Sequence, residues 1–419
     1  MGRRRASTAL AGIAAATMFM TACGSGSGKS DAGASGGEGT VRMLVNITPN
    51  LTQSFWKDLV RPFEAANPGI KVKIESPSSA SVDTTLTTEL AAGTEPDVVE
   101  GANIHPFAER LLDLSGQPWA TSAPLADKLA VDGKTYAVPV GVQLQSLMFY
   151  NKDLFAKAGI TAPPTTMDEL TADMAKLKAT GIKPVQTAGD WVTGAQISMI
   201  AAPTLLGRQP TWYTDVNSGK TSLTATMKPV LDLYNSWLGA GYLNKDALGV
   251  KYADGEAAFL DGKAAMYPMG SWFAAAATNP SFPIGVFPIP AIDGTGQAPM
   301  GVSPTANYAI FKSSKHQDAA RKLVEYLTNN KDAVTTQLKQ DGTFRTGFSY
   351  HGSELGDAVQ GILQQVGTNV GPTGGGYGPD QLPAGYDTQF NKNVQGLYIG
   401  QSVPTVLSSL DKWLAAQPK

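Results

Sequence analysis

Residues 41–76, VRMLVNITPNLTQSFWKDLVRPFEAANPGIKVKIES, contain the pattern that decides the fold. The stretch begins with a short apolar run, VRMLV, which is typical of a buried strand. In its middle, apolar side chains recur every four residues and share one helical face: Leu51, Phe55, Leu59 and Phe63. An Asn-Pro-Gly turn ends this helix, and IKVKIES then alternates apolar residues with lysines, as half-buried strands do. The stretch therefore predicts a strand, a helix and a second strand.

The same alternation continues downstream. A helix is predicted around Leu86–Ala92, ended by Gly93, and PDVVE (96–100) is a third short strand. Further strands are predicted in DGKTYAVPV (132–140), after a turn, and in QSLMFYN (145–151). Alternating strands and helices favour parallel pairing in a layered architecture. The predicted fold class is α/β, with central sheets flanked by helices.

Later helices carry their own start signals. Thr166 and Glu169 have the spacing of a capping box, in which each side chain bonds the backbone N–H of the other residue. Ser314 and Gln317 have the same spacing and predict a second capping box. A final helix is predicted over about Val406–Ala416.

Composition limits the classes of function. The chain has 419 residues, with 33 Lys and Arg against 35 Asp and Glu, a formal net charge of -2. That length is enough for two domains of ordinary size. The balanced charge, without a basic stripe interleaved with aromatic residues, gives no reason to expect a nucleic-acid partner. Charged residues make up only 16%, while 45 Gly and 27 Pro indicate a loop-rich globular protein.

The N-terminus is predicted to be a secretory signal, residues 1–22. Three arginines precede a mostly apolar run, Ala9–Met20, that is too short to span a bilayer. The sequence MTAC resembles the lipobox of bacterial lipoproteins, with Met20 where leucine is more usual. Cys23, the only cysteine in the chain, would then carry the lipid. The alternative is an ordinary signal peptide that leaves a free thiol behind.

Residues 23–39 are dominated by glycine and serine, and their apolar content is too low for folding. We expect a flexible tether that holds a folded body near the outer face of the cell membrane through a lipid anchor.

No motif for catalysis is visible. His105, His316 and His351 are far apart and lack the spacing of zinc ligands. The acidic cluster at 254–261 does not have the spacing of a calcium loop, and it is interpreted as a solvated surface. We therefore expect no catalytic residue, no metal and no cofactor. A carboxylate pair assembled from distant parts of the chain would leave no motif, so a glycoside hydrolase stays an open alternative.

Seven stretches occur in an order that resembles a known family. Together they are similar to the extracellular solute-binding proteins of carbohydrate-importing ABC transporters, the group that includes maltose-binding protein. The resemblance runs from about Val41 to Trp413. The stretches are FWKDLVRPFEAANPGIKVKIE (55–75), AAGTEPDVVE (91–100), LLDL (111–114), DGKTYAVPV (132–140), FYNKDLFAKAGITAPPTTMDEL (149–170), FLDGKAAMYPMGSW (259–272) and KHQDAARKLVEYL (315–327).

The resemblance implies two α/β lobes joined by a hinge, with the ligand in the cleft between them. The N-terminal lobe is expected to comprise residues 40–145 and 308–343, and the C-terminal lobe residues 146–307 and 344–419. The chain is expected to cross between the lobes near 143–147, 302–308 and 343–350. The resemblance also implies that the protein is a monomer. Its expected partners are a carbohydrate and an ABC permease with two membrane subunits and an ATPase.

Aromatic platforms are expected on the C-terminal lobe, because a sugar presents apolar faces as well as hydroxyl groups. The resemblance places one platform at Trp272, directly after the strand in GKAAMYPMGSW. It places a second at Trp191, with Asp190 beside it as a hydroxyl acceptor. Core packing is the alternative for both tryptophans. Trp237 and Trp413 lie inside helical patterns and are predicted to be core residues.

The N-terminal lobe and the hinge are expected to supply polar ligand contacts. The candidates are Asn46, Glu100, Asn103, Gln143 and Gln145. Alternate residues of a strand share a face, so both glutamines are expected to point into the cleft. For Asn103 and Gln145 an ordinary solvated position is the alternative.

One glycine-rich segment, Gly371–Phe390, departs from the family pattern. Relatives often carry an aromatic ligand contact there, which Tyr377 or Tyr386 would supply, with Tyr386 closer to the expected position. A mobile lid and a plain surface loop are the alternatives.

The most strongly indicated function is a sugar-binding receptor of an ABC importer. The alternatives are a membrane-tethered glycoside hydrolase and a binding protein for a peptide or a polyamine.

Overall fold

The computed structural model describes residues 38–417, except 79–80, 278–279, 295, 297–299, 306, 367, 371–381 and 384. The predicted signal segment, the lipid-bearing Cys23, most of the predicted tether and Tyr377 lie outside the described residues. No helix in the described part combines the length and the hydrophobicity needed to cross a bilayer.

The chain alternates strands and helices along most of its described length. The strands are β1 Gly39–Leu44, β2 Ile70–Glu75, β3 Val98–Glu100, β4 Ala137–Val138, β5 Gly141–Leu144, β6 Leu147–Asn151, β7 Met266–Met269, β8 Ile284–Pro288, β9 Met300–Thr305, β10 Tyr308–Ile310 and β11 Thr368–Val370. The α-helices are α1 Gln53–Ala66, α2 Val82–Ala92, α3 Pro118–Thr121, α4 Ala126–Leu129, α5 Lys152–Lys157, α6 Met167–Ala179, α7 Val192–Arg208, α8 Trp212–Asn217, α9 Leu223–Ala240, α10 Tyr252–Leu260, α11 Trp272–Ala276, α12 Gln317–Asn329, α13 Lys331–Gln340, α14 Glu354–Val366, α15 Tyr386–Val394 and α16 Val403–Ala415. Short 3-10 helices span His105–Arg110, Ala247–Gly249 and Gln395–Ile399.

The first sheet confirms the pattern of residues 41–76. Its order is β2-β1-β3-β10-β4, and β1 pairs parallel with both β2 and β3. Strand β10 runs antiparallel to β3 and β4, so a late segment of the chain completes the sheet. Helix α1 buries Leu59 and Phe63 of the predicted face against this sheet's core. Phe55 is only partly buried, and Trp56, which the spacing did not include, is buried beside them.

Two further sheets have three strands each. In one, β6 lies between β7 and β8 and is antiparallel to both. In the other, β9 lies between β5, which is antiparallel to it, and β11, which is parallel. The strand predicted in QSLMFYN is therefore confirmed as β6.

The three segments predicted to cross between the lobes lie side by side. Strand β5 pairs with β9, with Gln143 opposite Ser303. Val142 also exchanges two backbone hydrogen bonds of 2.8 Å with Phe344. Gly141 permits this approach, because a Cβ there would lie 2.7 Å from the carbonyl oxygen of Phe344. The lobe boundaries themselves stay a prediction.

The two predicted capping boxes have different outcomes. The first is confirmed: Thr166 Oγ1 accepts from the N–H of Glu169, and a Glu169 carboxylate oxygen accepts from the N–H of Thr166, both at 3.2 Å. The second is wrong, because helix α12 begins at Gln317 without a side-chain cap. The Ser314 hydroxyl donates instead to Asp97, and the Gln317 amide donates to a backbone carbonyl. The final helix begins at Val403, three residues before its predicted start.

Replacing Thr166 by alanine is expected to lower the free energy of unfolding by about 1 kcal/mol, because the N–H of Glu169 loses its partner. Urea unfolding followed by circular dichroism measures this change. Thr87→Ala, at an exposed position inside α2, is the matched control, with an expected change within about 0.5 kcal/mol. An equal loss in both variants would contradict the capping role.

Candidate ligand-binding site

Three aromatic rings gather beside strand β7. The Trp191 ring lies 4.9 Å from the Tyr252 ring and 6.4 Å from the Trp272 ring, measured between centroids, with interplanar angles of 55° and 54°. Trp191 is 42% exposed, which is unusual for so large an apolar side chain. We call these three residues the ring cluster. The sequence predicted two of its members and missed Tyr252.

Trp272 reaches the ring cluster because the chain turns sharply after β7. The N–H of Ser271 donates to the carbonyl of Leu144 at 2.9 Å, and its hydroxyl accepts from the N–H of Leu144 at 3.1 Å. The indole folds back over Gly270, where a Cβ would lie 1.9 Å from the ring. Trp272 is partly buried and packs against two hydrophobic clusters. It therefore contributes to packing as well as to the ring cluster.

Asp190 holds the backbone next to Trp191 in place, and its role as a hydroxyl acceptor stays a prediction. Its backbone is left-handed, with φ of 45°, a conformation that is costly for a residue other than glycine. Its Oδ2 accepts from the N–H of Tyr252 at 2.9 Å, at the start of α10. Its carbonyl accepts from the side-chain amides of Asn391 and Gln395. Asp190 thus joins α10 and the C-terminal segment at the position before Trp191.

Glu256 corrects the interpretation of the acidic cluster at 254–261 as a solvated surface. Helix α10 turns Glu256 inward, and this residue is 4% exposed. Its Oε2 accepts from the Tyr252 hydroxyl at 3.0 Å. Burial raises the pKa of Glu256, and the hydrogen bond from Tyr252 opposes that rise. Burial also raises the pKa of Tyr252, so this hydroxyl stays protonated and fixes its ring within the ring cluster.

Glu100 and Asn46 meet at the carboxyl ends of β3 and β1. The Glu100 side chain is 3% exposed, and its Oε2 accepts from the N–H of Asn46 at 2.9 Å. The carbonyl of Asn46 accepts from Trp56 Nε1 at 2.9 Å, which fixes the loop, while the Asn46 side chain is exposed. Open α/β sheets bind ligands beyond the carboxyl ends of their strands.

Asp341 contributes a further carboxyl group, and the sequence did not point to it. Its Oδ1 accepts from Asn50 Nδ2 and its Oδ2 accepts from the Thr305 hydroxyl, both at 2.9 Å. Burial raises the pKa of Asp341 to about 6. The next residue, Gly342, packs against Ser271, because a Cβ there would lie 2.7 Å from the Ser271 carbonyl oxygen. The residue after Asp341 therefore contacts Ser271, the residue before Trp272.

The charge of Asp341 acts on both parts of the site. Burial raises the pKa of Glu100 to about 8, the N–H of Asn46 opposes this rise, and the charge of Asp341 adds to it. The same charge contributes to the raised pKa of Tyr252. Asp341 is thus within electrostatic range of the buried carboxyl and of the ring cluster, which we take together as one candidate site.

The two predicted hinge glutamines share a partner. Gln143 and Gln145 each donate a side-chain N–H to the hydroxyl of Ser303, at 3.0 and 2.8 Å. They do share a face, as the strand period predicts. Gln145 is 0% exposed, however, which corrects the expectation that its side chain lines an open cleft and also rules out the solvated position given as the alternative. Gln145 is an interior residue, while Gln143 is partly exposed.

Asn103 takes part in a local turn. Its N–H donates to Asp83 at 2.9 Å, and its side-chain oxygen accepts from the N–H of His105 at 3.3 Å. Burial raises the pKa of Asp83 to about 6, and the N–H of Asn103 opposes the rise. The observed contacts therefore give Asn103 a structural role at the start of α2.

Tyr386 lies in the hydrophobic core. It is 6% exposed and packs against Phe390 and Trp413, with centroid distances of 5.6 and 6.4 Å. We therefore correct its assignment as a ligand contact to core packing. Trp237, 1% exposed, is a core residue as predicted, and Trp413 packs against the same core while partly exposed. Across the described ranges, no group of three His, Cys, Asp or Glu residues could hold a metal ion.

Comparison with known proteins identifies similar chains. The diacetylchitobiose binding protein DasA of Streptomyces coelicolor is 30% identical over 349 residues, covering 78% of this chain and 79% of that protein. The multiple sugar-binding protein of Streptococcus mutans is 29% identical over 291 residues, covering 65% of this chain and 67% of that protein.

Solved structures are similar over most of the chain. A chitin oligosaccharide binding protein superposes with a TM-score of 0.79 at 23% identity, covering 90% of this chain and 98% of that one. Maltose-bound MalE3 of T. maritima gives a TM-score of 0.72 at 22% identity, covering 90% of this chain and 99% of that one. These likenesses show the two-lobed α/β fold that the sequence predicted. A family described as bacterial extracellular solute-binding protein matches residues 48–334, and this chain belongs to that family.

Proposed function

We propose that this protein captures a sugar or oligosaccharide outside the cell membrane and delivers it to the permease of an ABC importer. The observation that carries the proposal is the exposed indole of Trp191 within the ring cluster. Sugars pair apolar C–H faces with hydroxyl rims, so they suit aromatic rings next to carboxyl and amide groups. Glu100, Asn46 and Asp341 supply those polar groups on the other side of the site.

The relatives support a sugar as the class of ligand. Two of them are named as binding proteins for diacetylchitobiose and for multiple sugars. A further similar structure, with a TM-score of 0.71, is in complex with raffinose. The exposed tryptophan ring favours a sugar over a polyamine, whose flexible cationic chain offers no flat apolar face.

Binding is proposed to close the two lobes on the sugar. The three segments predicted to cross between the lobes pair with one another at β5, β9 and Phe344, and the lobes would rotate about this connection. A ligand that touches both lobes only in the closed form shifts the population toward that form. The closed complex would then dock on two membrane subunits that work with an ATPase, with the binding protein acting as a monomer.

A sugar panel tests the proposed function. Diacetylchitobiose, maltose, raffinose, stachyose and xylobiose are added separately to the purified protein, and the melting temperature and tryptophan fluorescence are recorded. A sugar that binds raises the melting temperature by mass action, and chromatography should recover it unchanged. Consumption of the sugar would instead support the glycoside hydrolase. A shift with polyamines or peptides alone would overturn the choice of ligand class.

Replacing Trp191 by alanine is expected to weaken binding of the preferred sugar by about 10- to 100-fold, because a solvent-exposed platform is lost. Stability should change by less than about 1 kcal/mol, since the ring is 42% exposed. Isothermal titration calorimetry and thermal unfolding measure the two effects. Ile399→Ala, at a residue that is 71% exposed, is the control and should bind as the wild type does. Unchanged affinity in W191A would contradict the platform role.

We also propose that Cys23 carries a lipid that holds the protein on the outer face of the membrane. The lipobox-like MTAC sequence supports this proposal. Cys23→Ala is expected to move the protein from the membrane fraction to the medium, and mass spectrometry of the wild-type N-terminus should find acyl chains. A wild-type protein found only in the medium would contradict the anchor.

A further inference from the structure

Glu100 is buried without a compensating cation. The side chain is 3% exposed, and the hydrogen bond from the N–H of Asn46 to Oε2 is the contact that holds it. Across the described part of the chain, Glu100 forms no ion pair, and its Oε1 accepts no hydrogen bond. A buried carboxylate in such surroundings is costly unless it is paired with a cation or becomes neutral.

The charged neighbourhood of Glu100 also favours the neutral form. Tyr308 of β10 lies opposite Glu100 in the sheet. Burial raises the pKa of the Tyr308 hydroxyl, so this group stays uncharged. From the end of α13, Asp341 contributes a negative charge. From the loop after β1, Asn46 contributes an N–H without a formal charge. No cation faces Glu100 from any of these elements.

We propose that Glu100 acts as a neutral carboxylic acid that donates a hydrogen bond to an acceptor oxygen of the sugar. This inference rests on the proposed function, since it needs the site between Glu100 and the ring cluster to hold a sugar. Hydroxyl, ring, glycosidic and acetamido oxygens can all accept from a carboxylic acid. Ionised carboxylates in a sugar site only accept hydrogen bonds, so they select ligand hydroxyl groups that donate. A neutral Glu100 would instead select ligands that present an acceptor oxygen at this position.

The proposal predicts that sugar affinity falls when Glu100 ionises. Burial raises the pKa of Glu100 to about 8, so the carboxyl is almost entirely neutral at pH 6.5. At pH 9.5, which is 1.5 pH units higher than that value, about one molecule in 30 remains neutral. The dissociation constant should therefore rise about 30-fold between the two pH values. Tyr252 and Tyr308 stay neutral over this range because burial raises the pKa of each.

The sign of the stability change follows from the same linkage. The pKa of Glu100 is raised in the folded state, so its contribution to stability is fully present below the unfolded value of 4.5 and is lost as pH rises through about 8. Without sugar, the melting temperature of the wild type should fall more between pH 6.5 and 9.5 than that of Glu100→Gln, whose amide cannot ionise.

The experiment measures the affinity of the full-length mature protein for each panel sugar that binds, at pH 6.5 and 9.5, by isothermal titration calorimetry. Glu100→Gln supplies an amide donor that does not titrate. It should bind more weakly than the wild type at pH 6.5, with less than a threefold change by pH 9.5. Asp58→Asn, at a 63% exposed side chain on α1, replaces a carboxyl group by an amide elsewhere and should keep the 30-fold wild-type change.

Three outcomes would overturn the inference while leaving the proposed function in place. They are a wild-type affinity that does not change between the two pH values, an equal loss of affinity in Glu100→Gln, and a folded Glu100→Gln that binds no sugar at either pH. If Glu100→Gln does not fold, the change in dissociation constant between the two pH values is compared for the wild type and Asp58→Asn. A change of less than threefold in the wild type then contradicts the inference. If no panel sugar binds the wild type at pH 6.5, the proposed function fails, and this inference fails with it.

Discussion

Replacing Trp272 by alanine is expected to weaken sugar binding by about 2–4 kcal/mol, which is roughly 30- to 1,000-fold in the dissociation constant. Trp272 is partly buried and is fixed by the folded-back turn at Gly270 and by packing on two hydrophobic clusters. A fixed, partly desolvated ring loses more on truncation than an exposed one, so the effect should exceed that of W191A. Isothermal titration calorimetry at a temperature where both proteins are folded measures it.

The control for this prediction has to separate binding from packing. Trp272→Ala should also lose some stability, since the ring is partly buried. Trp119→Ala, at a partly buried tryptophan that packs on the core of the first sheet, should lose stability without losing affinity. Trp272→Phe retains a ring and should recover part of the binding. If W272A binds as tightly as W119A, Trp272 is a core residue and not a platform.

Replacing Trp237 by alanine is expected to have the opposite profile, a loss of about 3–5 kcal/mol in the free energy of unfolding. Trp237 is 1% exposed in the largest hydrophobic cluster, and its Nε1 donates to the Thr171 hydroxyl at 3.1 Å. Truncation would leave a cavity and an unpaired hydroxyl between α6 and α9. Urea unfolding followed by circular dichroism measures the loss.

Sugar affinity distinguishes this role from that of Trp272. Where W237A is still folded, its dissociation constant should match that of the wild type, because Trp237 is not part of the ring cluster. Trp237→Phe fills most of the space and should lose less than half as much stability. A stability loss below about 1 kcal/mol in W237A, or a selective loss of affinity, would contradict the core assignment.

Local periodicity was sufficient to predict the layered α/β fold. The face of Leu59 and Phe63 and the alternation in IKVKIES each depend only on neighbours within two turns or two residues. The capping box at Ser314 failed for the opposite reason. Its hydroxyl bonds Asp97, which is 217 positions earlier in the chain. No local pattern can indicate that competition.

The sequence predicted only part of the candidate site, because contacts between distant segments leave no local pattern. Trp191 and Trp272 were found through a resemblance, whereas Tyr252 and Asp341 enter the site through contacts between distant segments. Tyr386 was misassigned although a local signal existed. Tyr386, Phe390 and Val394 recur every four residues, and that helical stripe predicts a core face.

The contacts that hold Asp190 come from residues near the C-terminus, so they form late in synthesis of the chain. Helix α7 has no capping side chain of its own; the Asn391 carboxamide accepts from the N–H of Gly194 at 2.9 Å and donates to the carbonyl of Asp190. Gln395 adds a second bond to that carbonyl. A ribosome therefore synthesises nearly the entire chain before Trp191 can be fixed in place. Nascent or truncated chains that end before residue 391 would carry every aromatic residue of the site and still lack a formed receptor.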